Sequence, residues 1–320
     1  MPFDFIATDI TTLAVDAIAI PCSPHPIMSE GLNDDVYHKA GPSLLAARKK
    51  IGAIPFGHAA ITSAYQLPAQ SLIHVAIPPY QPGAEDTLLR AYLSVFQLAK
   101  AHHLRTVTLP LLGSAQGYPD AIARDTLSQA LAKSPDTDGL VIRIILPTAL
   151  LCSDWQPLRQ YLTAQLISAS HPHTSSKPNS LHESNHHTAY QPRSRVEKEL
   201  AQRLSSRETG FSQTLLSLIS QQGKTEPDIY KKANIDRRLF SKIRNNPEYQ
   251  PTKATALAFA IALELSLAEM NDFLRTAGYT LTHTSKTDII VEYFILQKNY
   301  DMFTINEALF TFGESSLGSI

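Results

Sequence analysis

Two strand-to-helix turns hold the residue types an anion needs. One is "IPCSPHPIMSEGLNDDVYHKAG" (20–41), the other "LPLLGSAQGYPD" (109–120). Glycine lets backbone N–H groups converge, and a following helix adds the positive end of its dipole, which suits a diphosphate. The glycines are few, so a tight structural turn is an equal reading of either segment alone. A third stretch, "KKANIDRRLFSKIRNN" (231–246), points to different chemistry. Between Lys231 and Lys253, seven basic residues face only Asp236 and Glu248, a net of +5. That is a phosphate-facing patch or a solvated helix face.

The elements that must position these residues change character along the chain. "FDFIAT", "DAIAIP", "HAAITSAY", "SLIHVAI", "TVTLPLL" and "LVIRIIL" are short β-type runs. Helical patterns separate them: "NDDVYHKAGPSLLAARKKIG", with a Gly-Pro break, "EDTLLRAYLSVFQLAKAHH" and "YPDAIARDTLSQALAK". Near-continuously apolar strands alternating with helices predict a sheet covered on both faces, with any ligand outside the carboxyl ends of its strands. From 211 onward only short helical segments follow. Thr225, Asp236, Thr252, Ser266 and Thr304 are the N-cap candidates, and Gly223 and Gly278 mark helix ends.

Between the two halves lies "SASHPHTSSKPNSLHESNHHTAYQPRSR" (168–195), with almost nothing to bury, which predicts a disordered linker. His171, His173, His182, His186 and His187 fall in it; nothing there fixes a ligand geometry, so it reads as polar linker rather than metal site. The predicted organisation is 1–167 α/β, 168–210 mostly linker and 211–320 all-α. With 320 residues, a net charge of −1 and two cysteines, the chain fits a two-domain protein of a reducing compartment. No signal peptide or membrane span is read, so the expected location is cytoplasmic.

Over residues 3–165, "TDITTLAVDAIAIP", "GLNDDVYHKAGPSLL", "GAIPFGHAAITSAYQLPAQSLIHVAIPPY" and "VTLPLLGSAQGYP" occur in an order that resembles the macro domain family. The resemblance implies a three-layer α/β fold, a mixed sheet between helices, that binds ADP-ribose or a related nucleotide. It implies that Asp9 accepts a hydrogen bond from the adenine amino group, with the Ile10 N–H close by. Ser29–Asn33, including Gly31, would lie against the distal ribose and diphosphate. The turn of Gly113, Ser114, Ala115, Gln116 and Gly117, followed by Tyr118, would wrap the diphosphate.

The chain also departs from the family. Catalytic members carry "N-A-A-N" where this chain has "IPCS", which puts Ser23 at the last Asn. They carry "G-G-G-V-D" where this chain has "SEGLN", which puts Asn33 at the Asp and Glu30 at a glycine. The second loop is one residue short. Hydrolysis needs an acid to activate water, and neither Ser23 nor Asn33 can be that acid. Asp34 and Asp35 are the catalytic candidates that remain. The reading is therefore binding without turnover. The alternatives are hydrolysis of ADP-ribosyl or O-acetyl-ADP-ribose linkages, and a scaffold without a small ligand.

Residues 211–320 resemble a helix-turn-helix-like region of the phage-repressor type, found fused to varied effector domains in bacterial proteins. Asn234 would take a left-handed turn conformation and Asp236 would cap the second helix. That helix would present Arg237, Arg238, Ser241, Lys242 and Asn245 toward base edges, with Lys231, Lys232 and Lys253 nearer the phosphates. The partner would be double-stranded DNA or a protein, and the whole a cytoplasmic regulator that uses no cofactor, metal or membrane.

Overall fold

The computed structural model describes residues 2–26, 32–134, 139–146, 155–170 and 210–318. Most of the expected linker, with its five histidines, lies outside the described residues. All six apolar runs form strands: β1 (Phe3–Ile6), β2 (Ala17–Cys22), β3 (Ala59–Ser63), β4 (Ser71–Ala76), β5 (Thr106–Pro110) and β6 (Val141–Ile145). They make one mixed sheet in the order β1-β6-β5-β2-β4-β3, parallel except for the β3–β4 pair.

The two-residue period of a strand divides β2 between two cores. Ile18 and Ile20 join Val36, Leu44 and Leu72 on one face. Ala17 and Ala19 join Val75, Val107, Tyr92, Phe96 and Leu127 on the other. The first face is covered by α1 (Leu32–Ala40) and α2 (Pro42–Ile51), which break apart at Gly41, where φ is +82°. The second is covered by α3 (Glu85–Ala101) and α4 (Asp120–Lys133). A helix the sequence reading did not anticipate, α5 (Gln156–Ser170), follows and runs into the segment read as linker.

The remaining helices are α6 (Phe211–Gln221), α7 (Glu226–Lys232), α8 (Arg237–Asn245), α9 (Lys253–Ala262), α10 (Leu267–Arg275), α11 (Lys286–Leu296) and α12 (Met302–Thr311). Thr225, Asp236, Thr252 and Ser266 cap α7 to α10 as expected, the last as a capping box with Glu269. Thr304 does not cap. Asp301 does, accepting from the N–H groups of Phe303 and Thr304, while the Thr304 hydroxyl donates back to it. Among the described residues, no helix is long and apolar enough to cross a membrane.

The helical half continues the second core without interruption. Phe303 of α12 meets Phe3 and Phe5 of β1 at ring distances of 5.6 and 5.1 Å, and Phe310 meets Phe5 at 6.0 Å. Arg124 of α4 pairs with Glu307 at 3.0 Å, and the Tyr161 hydroxyl of α5 donates to Glu292 of α11 at 3.0 Å. The most specific contact lies at the free edge of β1. Asn234, between α7 and α8, is left-handed (φ +58°) and buried. Its Oδ1 accepts from the Phe3 N–H at 2.7 Å, and its Nδ2 donates to the Phe3 and Leu317 carbonyls at 3.0 Å each. Gly318 closes the arrangement. Its φ is +78°, and a Cβ there would collide with the Ala233 carbonyl oxygen.

Asn234→Gly keeps the turn conformation and removes all three bonds. A buried unsatisfied polar group costs about 1–3 kcal/mol, so the chain should lose about 3 kcal/mol or more of stability. Trp155, which packs 5.9 Å from Phe294 of α11, reports the junction by fluorescence. In urea, its transition should shift together with the circular dichroism of the whole chain. A shift worth less than about 1 kcal/mol would show that water replaces the amide at little cost.

Candidate functional site

Because β1, β6, β5 and β2 run parallel, the segments that follow β1, β2 and β5 leave from one edge of the sheet. The turn after β5 is built to expose donors. Gly113 (φ +96°) and Gly117 (φ +82°) bracket a single 3₁₀ turn at Ser114–Gln116. A Cβ on Gly113 would lie 3.1 Å from both Leu88 and Tyr118. The N–H groups of Gln116, Gly117 and Tyr118 bond inside the turn, to the carbonyls of Gly113, Ser114 and Gly113. The described residues offer no backbone acceptor to the N–H groups of Gly113, Ser114 and Ala115. Two further polar atoms of this turn, Ser114 Oγ and Gln116 Oε1, are buried without a partner among the described residues.

Two side chains hold this turn in place. The buried Tyr92 hydroxyl of α3 accepts from the Leu112 N–H at 2.8 Å and lies 3.3 Å from the Leu112 carbonyl. Burial raises its pKa, so it stays protonated and can serve both groups. The Tyr80 N–H donates to Gln116 O at 2.8 Å, and its ring packs on Tyr118 at 5.0 Å.

After β1, Asp9 caps the 3₁₀ turn Ile10–Thr12 and stands half-exposed. Its Oδ1 accepts from the N–H and hydroxyl of Thr11 at 2.9 and 2.7 Å, and its Oδ2 pairs with Lys39 of α1 at 2.9 Å. The Thr11 hydroxyl first, and Lys39 next, hold its carboxyl down to about 2.

Behind the segment that follows β2 lies a buried polar cluster. Arg48 is 1% exposed and donates to the carbonyls of Gly52 (2.5 Å), Ser23 (3.1 Å) and Pro24 (2.8 Å). His74 is fully buried, with Tyr37 Oη 3.2 Å from Nδ1 and Thr62 Oγ1 3.0 Å from Nε2. Burial, and then the Arg48 charge, push His74 down to about 3, so it is neutral. Burial pushes Tyr37 up to about 12 and raises the Cys22 thiol, so these too are uncharged at neutral pH.

The structure thus brings Asp9 and the 113–117 turn to one edge. Ile10 beside Asp9 is buried in the core, and Ser23 offers its carbonyl to Arg48. Ser29, Glu30 and Gly31 lie outside the described residues, as does the side chain of Asn33. Asp34 and Asp35 stand exposed in the first turn of α1. The sequence reading missed Thr11, Lys39, Arg48, Tyr80 and Tyr92. Arg48 had a signal: four residues after Leu44 on a helix, it shares that residue's buried face.

On the helical half, Arg237, Arg238, Lys242 and Asn245 are exposed and Ser241 partly so. Arg238 lies beside Gly139 of the α/β half, whose N–H donates to Asp236 at 3.2 Å. Lys242 lies 5.6 Å from the Tyr249 ring, and Asn245 Nδ2 donates to Ser241 at 3.4 Å. Lys232 pairs with Glu264, and Lys253 pairs at 2.5 Å with the buried Asp288. Lys231 lines the groove between α4 and α7.

Known proteins are similar to the α/β half of this chain. The model of the macro domain family matches residues 21–127. An O-acetyl-ADP-ribose deacetylase of Enterobacter sp. is 36% identical over 144 residues, 41% of this chain and 80% of that protein. A macro domain-containing protein of Chlorobaculum tepidum is 35% identical over 135 residues, 40% of this chain and 78% of that protein. The Oceanobacillus iheyensis macrodomain with ADP is a solved structure 23% identical, with a TM-score of 0.43, covering 50% of this chain and 91% of that one.

A carboxyl whose pKa is lowered in the folded state contributes stability above its unfolded value, and loses it as pH falls from there toward about 2. Asp9 should therefore remain a full acceptor at pH 4. Carboxyl carbon NMR should show its midpoint rising toward 3.8 in Thr11→Val, and by less in Lys39→Met. An unmoved midpoint in both variants would remove these two contacts as the cause.

Proposed function

The chain belongs to the macro domain family, and from this we propose that its α/β half binds ADP-ribose or a closely related nucleotide along the edge that carries Asp9 and the 113–117 turn. The observation that carries the reading is that turn. Three of its N–H groups have no backbone acceptor among the described residues, and Gly113 and Gly117 make its conformation possible; together these form a preorganised anion cradle. Asp9, a carboxylate acceptor on the same edge, supplies the complement to an adenine amino donor. Ile10, Ser23, Gly31, Asn33 and Tyr118 complete the proposed contacts.

Binding without turnover is favoured over hydrolysis. Ser23 offers no acid, and Asp34 and Asp35 are exposed carboxylates on a helix's first turn, with no described contact that would orient a water. The deacetylase names of several relatives support the rival. Titration calorimetry should detect ADP-ribose, and Asp9→Ala should weaken it by about 1–3 kcal/mol, the range for a hydrogen bond to a charged group. O-acetyl-ADP-ribose and ADP-ribosylated protein should be turned over little. Robust release, abolished by Asp34→Ala or Asp35→Ala, would replace binding by catalysis.

For the helical half we propose a helix-turn-helix-like contact with duplex DNA through the exposed basic face of α8. Support comes from the left-handed Asn234 between α7 and α8, and from Arg237, Lys242 and Asn245 on the outer face. Lys232 and Lys253 are occupied by Glu264 and Asp288, so they contribute less than their number suggests. Arg237→Ala with Lys242→Ala should abolish retention of the full chain on duplex DNA at low salt. Removing a single phosphate-facing charge should flatten the salt dependence by about one unit. If DNA is not retained by the wild type, and the double variant instead loses a protein partner, the face serves protein recognition.

A further inference from the structure

We propose that Arg48 is the buried countercharge for the diphosphate of the bound nucleotide, acting through the Ser23–Pro24 segment rather than by direct contact. The proposal rests on the nucleotide reading above and assigns the source of its electrostatic affinity. Arg48 is buried in the same polar cluster as His74, yet the described residues place no carboxylate against it. Its described partners are the carbonyls of Gly52, Ser23 and Pro24, which supply dipoles but no charge, and the Cys22 thiol beside them. Its titratable neighbours are neutral: burial and the guanidinium itself keep His74 unprotonated, and burial keeps Cys22 and Tyr37 protonated. Arg48 is therefore the net charge of this cluster.

A buried cation is costly unless an opposite charge compensates it. The site proposed here is where an anion would arrive. Ser23 and Pro24 immediately follow β2, at the strand edge where ligands of open α/β sheets sit. A buried charge acts through a medium less polarisable than water, so a phosphate at that edge gains more from it than from a surface lysine. Two of the three bonds also hold the Ser23–Pro24 backbone against the end of α2, with the Ile54 N–H donating to Pro24 O at 2.9 Å. The charge is thereby fixed in place and needs no rearrangement when the anion binds. Burial, a fixed fork and described partners that include no carboxylate distinguish Arg48 from Arg90, Arg105 or Lys100, which lie on the surface.

The test separates charge from shape. Affinities of the full chain for ADP-ribose, for uncharged adenosine and for inorganic pyrophosphate are measured over a range of salt in wild type, Arg48→Met and Arg48→Lys. Arg48→Met should bind ADP-ribose and pyrophosphate at least tenfold more weakly and with a flatter salt dependence, while adenosine stays within twofold. Arg48→Lys keeps the charge without the fork and should retain the wild-type salt dependence. Equal losses for adenosine and ADP-ribose in Arg48→Met would mean a scaffold role only and overturn the assignment. So would a folded Arg48→Lys that has lost the salt dependence, which also decides the matter if the Met variant does not fold. Should wild type bind none of the three, the nucleotide reading itself fails. Should it bind them and Arg48→Met change nothing, only this inference fails.

Discussion

An edge strand carries backbone groups that no neighbour in its own sheet can satisfy, and β1 is such a strand. Much of the molecule follows from how that edge is sealed. The Asn234 amide offers one acceptor and one donor at the spacing of a peptide group, and Phe3 receives both. A side chain can imitate a neighbouring strand in this way only if its backbone comes close, which the left-handed turn between α7 and α8 permits. Asn306 then holds Leu317 by its N–H and carbonyl at 2.7 and 3.1 Å, so the last described residues are fixed by the same set of amides. Ser316 adds a bond to Asp4 at 3.0 Å. The aromatic contacts of Phe3, Phe5, Phe303 and Phe310 supply apolar burial, and the amides supply register.

The same device recurs at the other functional edge. Tyr92 serves both backbone groups of Leu112, as Asn234 serves those of Phe3, and Arg48 gathers three carbonyls behind β2. In each case a buried side chain satisfies main-chain groups that no neighbouring strand or helix serves. This matters for a site made of loops. Its donors can only be preorganised if the peptides on either side are already committed.

Much of the α/β half was legible in the sequence. The six strands announce themselves as short apolar runs, and β2, buried along nearly its whole length, is the clearest. The Gly41–Pro42 break, the glycines at 113 and 117 and four of five helix caps were also readable, because each is a local backbone requirement. The Thr304 expectation failed because Asp301, three residues earlier, is the stronger acceptor for two N–H groups. Helix α5 was not read, because its apolar residues form a weak stripe after Trp155 and Pro157. Asn234 was readable as a turn residue, but not as the partner of Phe3. That contact joins positions 231 residues apart, and nothing local encodes it. Lys39 beside Asp9 was hidden for the same reason, and the burial of Arg48 was announced only by its place one turn after Leu44. A cation on a helix looks solvated until the tertiary fold places something over it.

The long reach of the Asn234 contact has a meaning in time. During synthesis the side chain that completes the backbone pairing of Phe3 emerges 231 residues after Phe3 itself. At about 5–20 residues per second, β1 waits on the order of tens of seconds with an open edge and two exposed phenylalanines. For that interval the nascent chain presents the kind of unpaired strand that other chains and chaperones capture. The α/β half can collapse early around β2, but its outer strand is a docking place held open for a segment the ribosome has yet to make.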